Sequence, residues 1–179
     1  MNTPRKSLAL LVLWLNVLWP ASVLAEPKDL DVLGWVEWAY LADLDVELKA
    51  KLDTGAETSS LDAHIIKKFR KGGKRWVRFG VDDPETGEEH VVVRERVRTI
   101  GVVQHDGSRQ TRPVVTMDVC IDGHHMETEV SLIDRSEFIY PLLLGRNALT
   151  SFALVDAGST FLGEPGCPEK AVETEPAGE

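Results

Sequence analysis

The chain is 179 residues long and carries 20 basic against 29 acidic side chains, a net charge of −9 at pH 7. That balance argues against a nucleic-acid partner. A hydrophobic content of 43% places the chain among globular proteins rather than disordered or fibrous ones, and its length allows one domain with a core of its own.

Arg5 and Lys6 precede an apolar run from Leu8 to Trp19, and Val23-Leu24-Ala25 offers small residues ahead of Glu26-Pro27. This is the order of a secretory signal peptide. A membrane anchor is the alternative, but the run is short, carries Asn16 and ends at Pro20. The expectation is therefore a cleavable leader over residues 1–25, a mature chain beginning near Glu26, and no membrane anchor after cleavage. The leader holds two basic residues and no acid, so its removal makes the mature chain more acidic still.

Trp35 to Leu41 reads as a first strand and Leu44 to Leu52 as a second, with Ala42-Asp43 as the turn between them. In the second, Val46, Leu48, Ala50 and Leu52 alternate with Glu47, Lys49 and Lys51, the period of a strand with one buried face. It delivers Asp53-Thr54-Gly55-Ala56 at its tip. The aromatic cluster Trp35, Trp38 and Tyr40 fits core or rim packing better than a ligand platform. Ser59 to Ile66 is too short for periodicity to choose between strand and helical turn, and Lys67 to Arg75, with six basic residues and Gly72-Gly73, reads as a solvated loop.

Trp76 to Val81 and Glu89 to Val97 flank the turn chemistry of Asp82 to Glu88, which makes a β-hairpin. Thr99 to Gln104 is a further short strand. Val115 to Ile121 and Met126 to Leu132 alternate around Asp122-Gly123, a second hairpin. Leu142-Leu143-Leu144-Gly145 is an apolar strand running into a short helical turn, and Phe152 to Val155 is the last strand. Many short strands with one short helix predict an all-β fold, a small closed barrel over residues 26–162. Its expected core includes Leu48, Leu52, Val92, Val115, Met117, Val130, Leu143 and Leu144. From Gly163 to Glu179 the chain turns polar and acidic and reads as a disordered tail. Cys120 and Cys167 either form a bridge pinning the tail to the barrel or remain two free thiols.

Asp-Thr-Gly after a strand suits a carboxylate held in a tight turn, and the Leu142-to-Thr150 segment with Gly145-Arg146-Asn147 lies well downstream of it. Together the two resemble the retropepsin pattern. Gly34-Trp35 with Glu37-Trp38, Lys49 to Asp62, Trp76-Val77-Arg78-Phe79, Arg112-Pro113-Val114, Asp134-Arg135-Ser136 and Leu143 to Leu149 are similar to the bacterial retropepsin-like aspartic peptidase family catalogued as ATP-dependent zinc proteases. The likeness runs from about Val32 to Phe161. It implies a barrel of acid-protease type, an aspartic endopeptidase acting on peptides in the periplasm, and Asp53 as the catalytic acid. Thr54 would cross-bond to a partner loop, Gly55 would let the backbone approach closely, and Ala56 would pack behind it. Gly145, Arg146 and Asn147 would support the loop from below.

An aspartic peptidase needs two carboxyl groups sharing one proton, and this chain offers a single Asp-Thr-Gly. The second acid should come from a two-fold partner, so a homodimer is expected. Asp156-Ala157-Gly158-Ser159-Thr160 imitates the motif, but the chain beyond it is too short for another half-barrel. Arg146 is expected to make a bidentate bridge to a carboxylate, with Asp62 as candidate, and Asn147 to cap the helix. The hairpin over residues 76–97 is either a flap over the cleft or a plain surface hairpin.

The residues support neither zinc nor ATP. His124-His125-Met126-Glu127 has the wrong order for a zinc helix, the five histidines are dispersed, and no phosphate-binding Gly-rich loop is present, so no metal and no cofactor are expected. One departure stands out: the family usually has Arg after Asp-Thr-Gly-Ala, where this chain has Glu57, an acid that would raise the Asp53 pKa if close. Two function classes follow: a dimeric aspartic endopeptidase, and a non-catalytic peptide-binding or assembly module. Relatives associated with glutamate-ligase-like and transglutaminase-like proteins imply a peptide-modification system as context.

Overall fold

The alternation that predicts the strand before Asp53 is realised in β3 (Val46–Asp53), where Val46, Leu48, Ala50 and Leu52 are buried and the residues between them face outward. A computed structural model describes residues 30–103 and 107–167. The expected leader, Gln104, His105 and the tail from residue 168 lie outside the described residues.

Around β3 the strands close into a ring. β2 (Val36–Leu41) pairs antiparallel with β3, and β11 (Leu142–Gly145) pairs parallel with it on the other side. β4 (Ser59–Asp62) follows β11, β10 (His124–Ile133) runs parallel to β4, and β9 (Arg109–Ile121) pairs with β10. The circuit ends where β9 returns to β2 through Tyr40↔Cys120 and Leu41↔Val119. β8 (Arg98–Val103) lies outside the ring on β9. The fold is thus all-β, a six-stranded closed barrel, and α1 (Arg146–Leu149) is the one helix among the described residues.

Leu48, Leu52, Val92, Val115, Met117, Val130 and Leu144 are buried as expected. Leu143 is not: β11 buries Leu142 and Leu144, and the period of two turns Leu143 outward to a cleft. β1 (Asp31–Gly34) precedes the expected first strand and pairs parallel with β12 (Ala153–Asp156). The ambiguous stretch after Asp53 is strand, not helix.

The largest correction concerns residues 67–75, expected as a loop. They lie in the hairpin of β5 (His64–Lys71) and β6 (Lys74–Asp82), which turns at Gly72-Gly73, both at positive φ. β6 also pairs with β7 (Glu89–Glu95). β5 has no alternation to read because its residues are exposed or only half-buried, so its pairing with β6 settles its conformation.

Residues 163–167, read as the start of a disordered tail, are docked on the barrel. The Leu162 and Gly163 amides donate to the Glu37 carboxylate, that of Glu164 to Asp122, and that of Gly166 to Glu47. Glu37 is buried and also accepts from the Gly34 amide at 2.6 Å, so three backbone donors satisfy its charge. Cys120 and Cys167 form a disulfide that fixes the end of this strap. The bridge spans 47 residues, for which chain entropy predicts about 4 kcal/mol. Cys120→Ser with Cys167→Ser is expected to lower stability by that order, read as a fall in the denaturant midpoint.

Candidate active site

Asp53 ends β3, and Gly55 and Ala56 fold the backbone back onto it. Its Oδ1 accepts from the Gly55 amide at 3.0 Å and the Ala56 amide at 3.3 Å. Lys51, two residues earlier and so on the same face of the strand, places Nζ 3.1 Å from Oδ2. Partial burial pushes the Asp53 carboxyl up, but the Lys51 and Gly55 hydrogen bonds, the Lys51 charge and the Ala56 amide outweigh it, leaving the group below the usual carboxylate range. Glu57 is exposed and is not among the groups that shift Asp53, so the expected upward push is not found.

The segment after β11 cradles this loop. The Gly145 amide donates to Ser59 Oγ, the Arg146 amide to the Ala56 carbonyl and the Asn147 amide to the Glu57 carbonyl. Arg146 Nη1 donates to the carbonyls of Thr54 and Gly55, each at 2.9 Å. The guanidinium therefore braces backbone oxygens, not Asp62, which accepts instead from the Arg135 amide. Nor does Asn147 cap α1: the N-cap is Gly145, without a side-chain bond, and Asn147 contributes its amide to the loop. A Cβ on Gly145 would lie 2.7 Å from the Thr58 backbone. Gly145→Ala is expected to force the loop off the helix and cost roughly 1–3 kcal/mol, measured by thermal unfolding.

Asp53 opens onto a cleft of about 580 Å³ lined by Trp35, Lys51, Arg135, Glu137, Phe138, Ile139, Tyr140 and Leu143. Trp35 thus has a place in the site beyond rim packing, whereas Trp38 stacks on Phe161 with Lys49 over both rings, and the Tyr40 hydroxyl donates to Asp45. A second cavity of about 530 Å³ shares Ile139 with the first. It is lined by Trp38, Glu47 and Lys49 on one side and by Pro84 and Glu85 of the β6–β7 turn on the other. The expected flap hairpin therefore overhangs a neighbouring cavity with its acidic tip.

Arg135 is buried, donating to Ser60 Oγ at 2.9 Å and to the Tyr140 carbonyl at 3.2 Å, and burial lowers its pKa. Lys51, Arg135, Ser59 and Ser60 were not singled out from sequence. For Lys51 the signal was there in its position two residues before Asp53; for the others only the fold brings them in. Asp156 closes its own turn, accepting from the Gly158 amide and the Ser159 hydroxyl, which hold its carboxyl below the usual range.

Zinc, which the family's catalogue name implies, does not fit around Asp53, where the carboxylates of Asp53 and Glu137 share the cleft with a lysine and an arginine, and no imidazole or thiolate lines it. Among the described residues, Cys120, His125 and Cys167 are grouped closely enough to hold a metal, but both sulfurs are consumed in the disulfide. That group lies at the other end of the barrel, since Tyr40 pairs with both Cys120 and Glu47 while Asp53 ends β3.

A closed barrel with an Asp-Thr-Gly loop held by a Gly-Arg-Asn segment defines the retropepsin-like class. The family model for the retropepsin-like aspartic endopeptidase RimB matches residues 32–165, and the chain belongs to this RimB-like family. A solved Legionella pneumophila protein of unknown function is 36% identical, with a TM-score of 0.63 over 73% of this chain and 96% of that one. Proteins called probable alpha-L-glutamate ligase are also similar. The one from Shewanella pealeana is 31% identical over 140 residues, and that from Parasynechococcus marenigrum 34% over 138. The alignments cover 75% and 74% of this chain but only 30% and 29% of those proteins.

Proposed function

We propose that this chain is an aspartic endopeptidase of retropepsin type that acts on peptides in the periplasm as a homodimer. The observation that carries this reading is Asp53, partly exposed at the floor of an open cleft, on a loop whose carbonyls are clamped by Gly145-Arg146-Asn147. In the dimer two Asp53 carboxyls would share a proton across the two-fold axis. The ionised one takes a proton from water, and the protonated one polarises the scissile carbonyl. Thr54 is exposed, which leaves its hydroxyl available to the opposite loop. Lys51 and Arg135 in the lining are matched by Asp53 and Glu137, and Arg135 is buried on Ser60 and Tyr140, so the lining by itself sets no charge preference. The glutamate-ligase relatives make a glutamyl peptide the first substrate to try.

The second reading, a peptide-binding or assembly module without catalysis, draws on the Lys51–Asp53 ion pair, which engages the carboxylate within one protomer. Cleavage of glutamate-rich and lysine-rich peptides, assayed with pepstatin and with a chelator, separates the two. The peptidase reading expects preference for the acidic peptide, inhibition by pepstatin and indifference to the chelator. Binding without cleavage by a folded dimer favours the module.

A further inference from the structure

We propose that the β5–β6 hairpin is an arm that docks the protein on an anionic phospholipid bilayer, at the end of the barrel away from Asp53. Six of the chain's 20 basic residues fall between residues 67 and 75 with no acid among them, in a protein that is acidic as a whole. Of these, Lys74 has a carboxylate partner, Glu95, at 2.6 Å. The inner face of the sheet buries Val77, Phe79, Val81 and Val92 in the core.

Its outer face is open. There the register sets Lys71 opposite Lys74, Phe69 opposite Trp76, and Lys67 opposite Arg78, whose other neighbour is Val93. Val91 and Val93 are 44% and 41% exposed, and Ile66 44%. An aromatic pair and aliphatic side chains flanked by lysines and an arginine, with Glu95 and Glu89 of this face held by Lys74 and His64, match a bilayer boundary: apolar groups meet the acyl region while ammonium and guanidinium groups meet phosphates. Lysines that only protected an edge strand would call for neither the aromatic pair nor the basic residues of β6, which is the central strand of the sheet.

Orientation separates this arm from the cleft. Arg94, registered with Val77, is ion-paired to Asp43 in the β2–β3 turn, the end of β3 opposite Asp53. The other end of β6, at Asp82, lines a cavity with Asp134, Ser136 and Pro141, the loop that borders the catalytic cleft. The Gly72-Gly73 tip therefore lies towards the β2–β3 turn, away from the Asp82 end of β6 that borders the cleft. A bilayer held there leaves the cleft accessible.

The test is co-sedimentation of the mature protein with phosphatidylcholine vesicles, with and without phosphatidylglycerol. Binding is expected to the anionic vesicles alone and to weaken as salt is raised. Lys67→Glu with Lys71→Glu and Lys74→Glu, all on the outer face, should weaken it by roughly a hundredfold, at about fivefold per basic residue. Phe69→Ser with Trp76→Ser, which leaves the charge unchanged, should also release the protein, and unchanged circular dichroism would show both variants folded. Equal binding to neutral vesicles overturns the proposal, as does binding that survives the lysine changes. Capture of poly-glutamate by the arm in place of anionic vesicles would assign the surface to an acidic polypeptide and overturn it too.

Discussion

Asp53→Asn is expected to abolish peptide cleavage, by about four orders of magnitude or more, while leaving the barrel folded. In the proposed dimer the carboxyl alternates between proton acceptor and shared acid, and an amide can do neither, so both members of that dyad would be lost in one substitution. The fold should tolerate the change because an amide oxygen can still accept from Gly55 and Ala56. The bond to Lys51 is a part-exposed ion pair whose loss costs no more than about 1 kcal/mol. Cleavage rates and thermal unfolding of both proteins, measured side by side, decide the matter. Asp156→Asn is the control and should leave cleavage nearly untouched, its carboxylate being engaged within its own turn. Equal rates for wild type and Asp53→Asn would refute the aspartic mechanism.

Lys51→Met should move the whole pH profile of cleavage to higher pH. The Lys51 hydrogen bond and charge both pull the Asp53 carboxyl down, against the upward push of burial. Without the ammonium, burial is opposed only by the Gly55 and Ala56 amides, and the carboxyl rises. In a coupled dyad the acidic limb reports the first ionisation and the alkaline limb loss of the shared proton, and removing a nearby cation raises both. At the acidic edge the variant should be slower than wild type, and at the alkaline edge faster. A bell that loses height without shifting would show that Lys51 acts on substrate binding rather than on the dyad. The same pull has a stability counterpart: a carboxyl with a lowered folded pKa stabilises the fold above its unfolded value and loses that contribution as pH falls through the folded one.

Much of the site was legible because it rests on local rules. The period of two through Val46, Leu48, Ala50 and Leu52 determines which way β3 faces, and the same period, carried two residues back from Asp53, would have found Lys51. The Gly-Arg-Asn segment was placed beneath the loop by resemblance, but its bonding was not legible. Arg146 reaches carbonyls that exist only once the loop is folded, and Asn147 acts through its amide, which carries no side-chain signature. Arg135 enters the cleft by tertiary packing from β10's far end; Asp134-Arg135-Ser136 carries part of the family resemblance but gives no sign of that place. The basic hairpin escaped for the opposite reason. Six charges and two glycines satisfy every local criterion for a loop, and only the cross-strand register from Lys71↔Lys74 to His64↔Gly80 makes them strand.

The parallel pairings have a consequence in time. β1 closes on β12, β3 on β11 and β4 on β10, so each of these ladders joins an early part of the chain to a late one. Such contacts must overcome the entropy of closing long loops before they contribute anything, which makes folding slow and leaves it incomplete until the last strands exist. A chain stopped before Leu142 lacks β11, one of the two neighbours of β3, and should stay protease-sensitive however long it is incubated. For a polypeptide proposed to leave the cytoplasm, that delay is useful: a barrel that cannot close before β11 is synthesised remains loose enough to be threaded across a membrane.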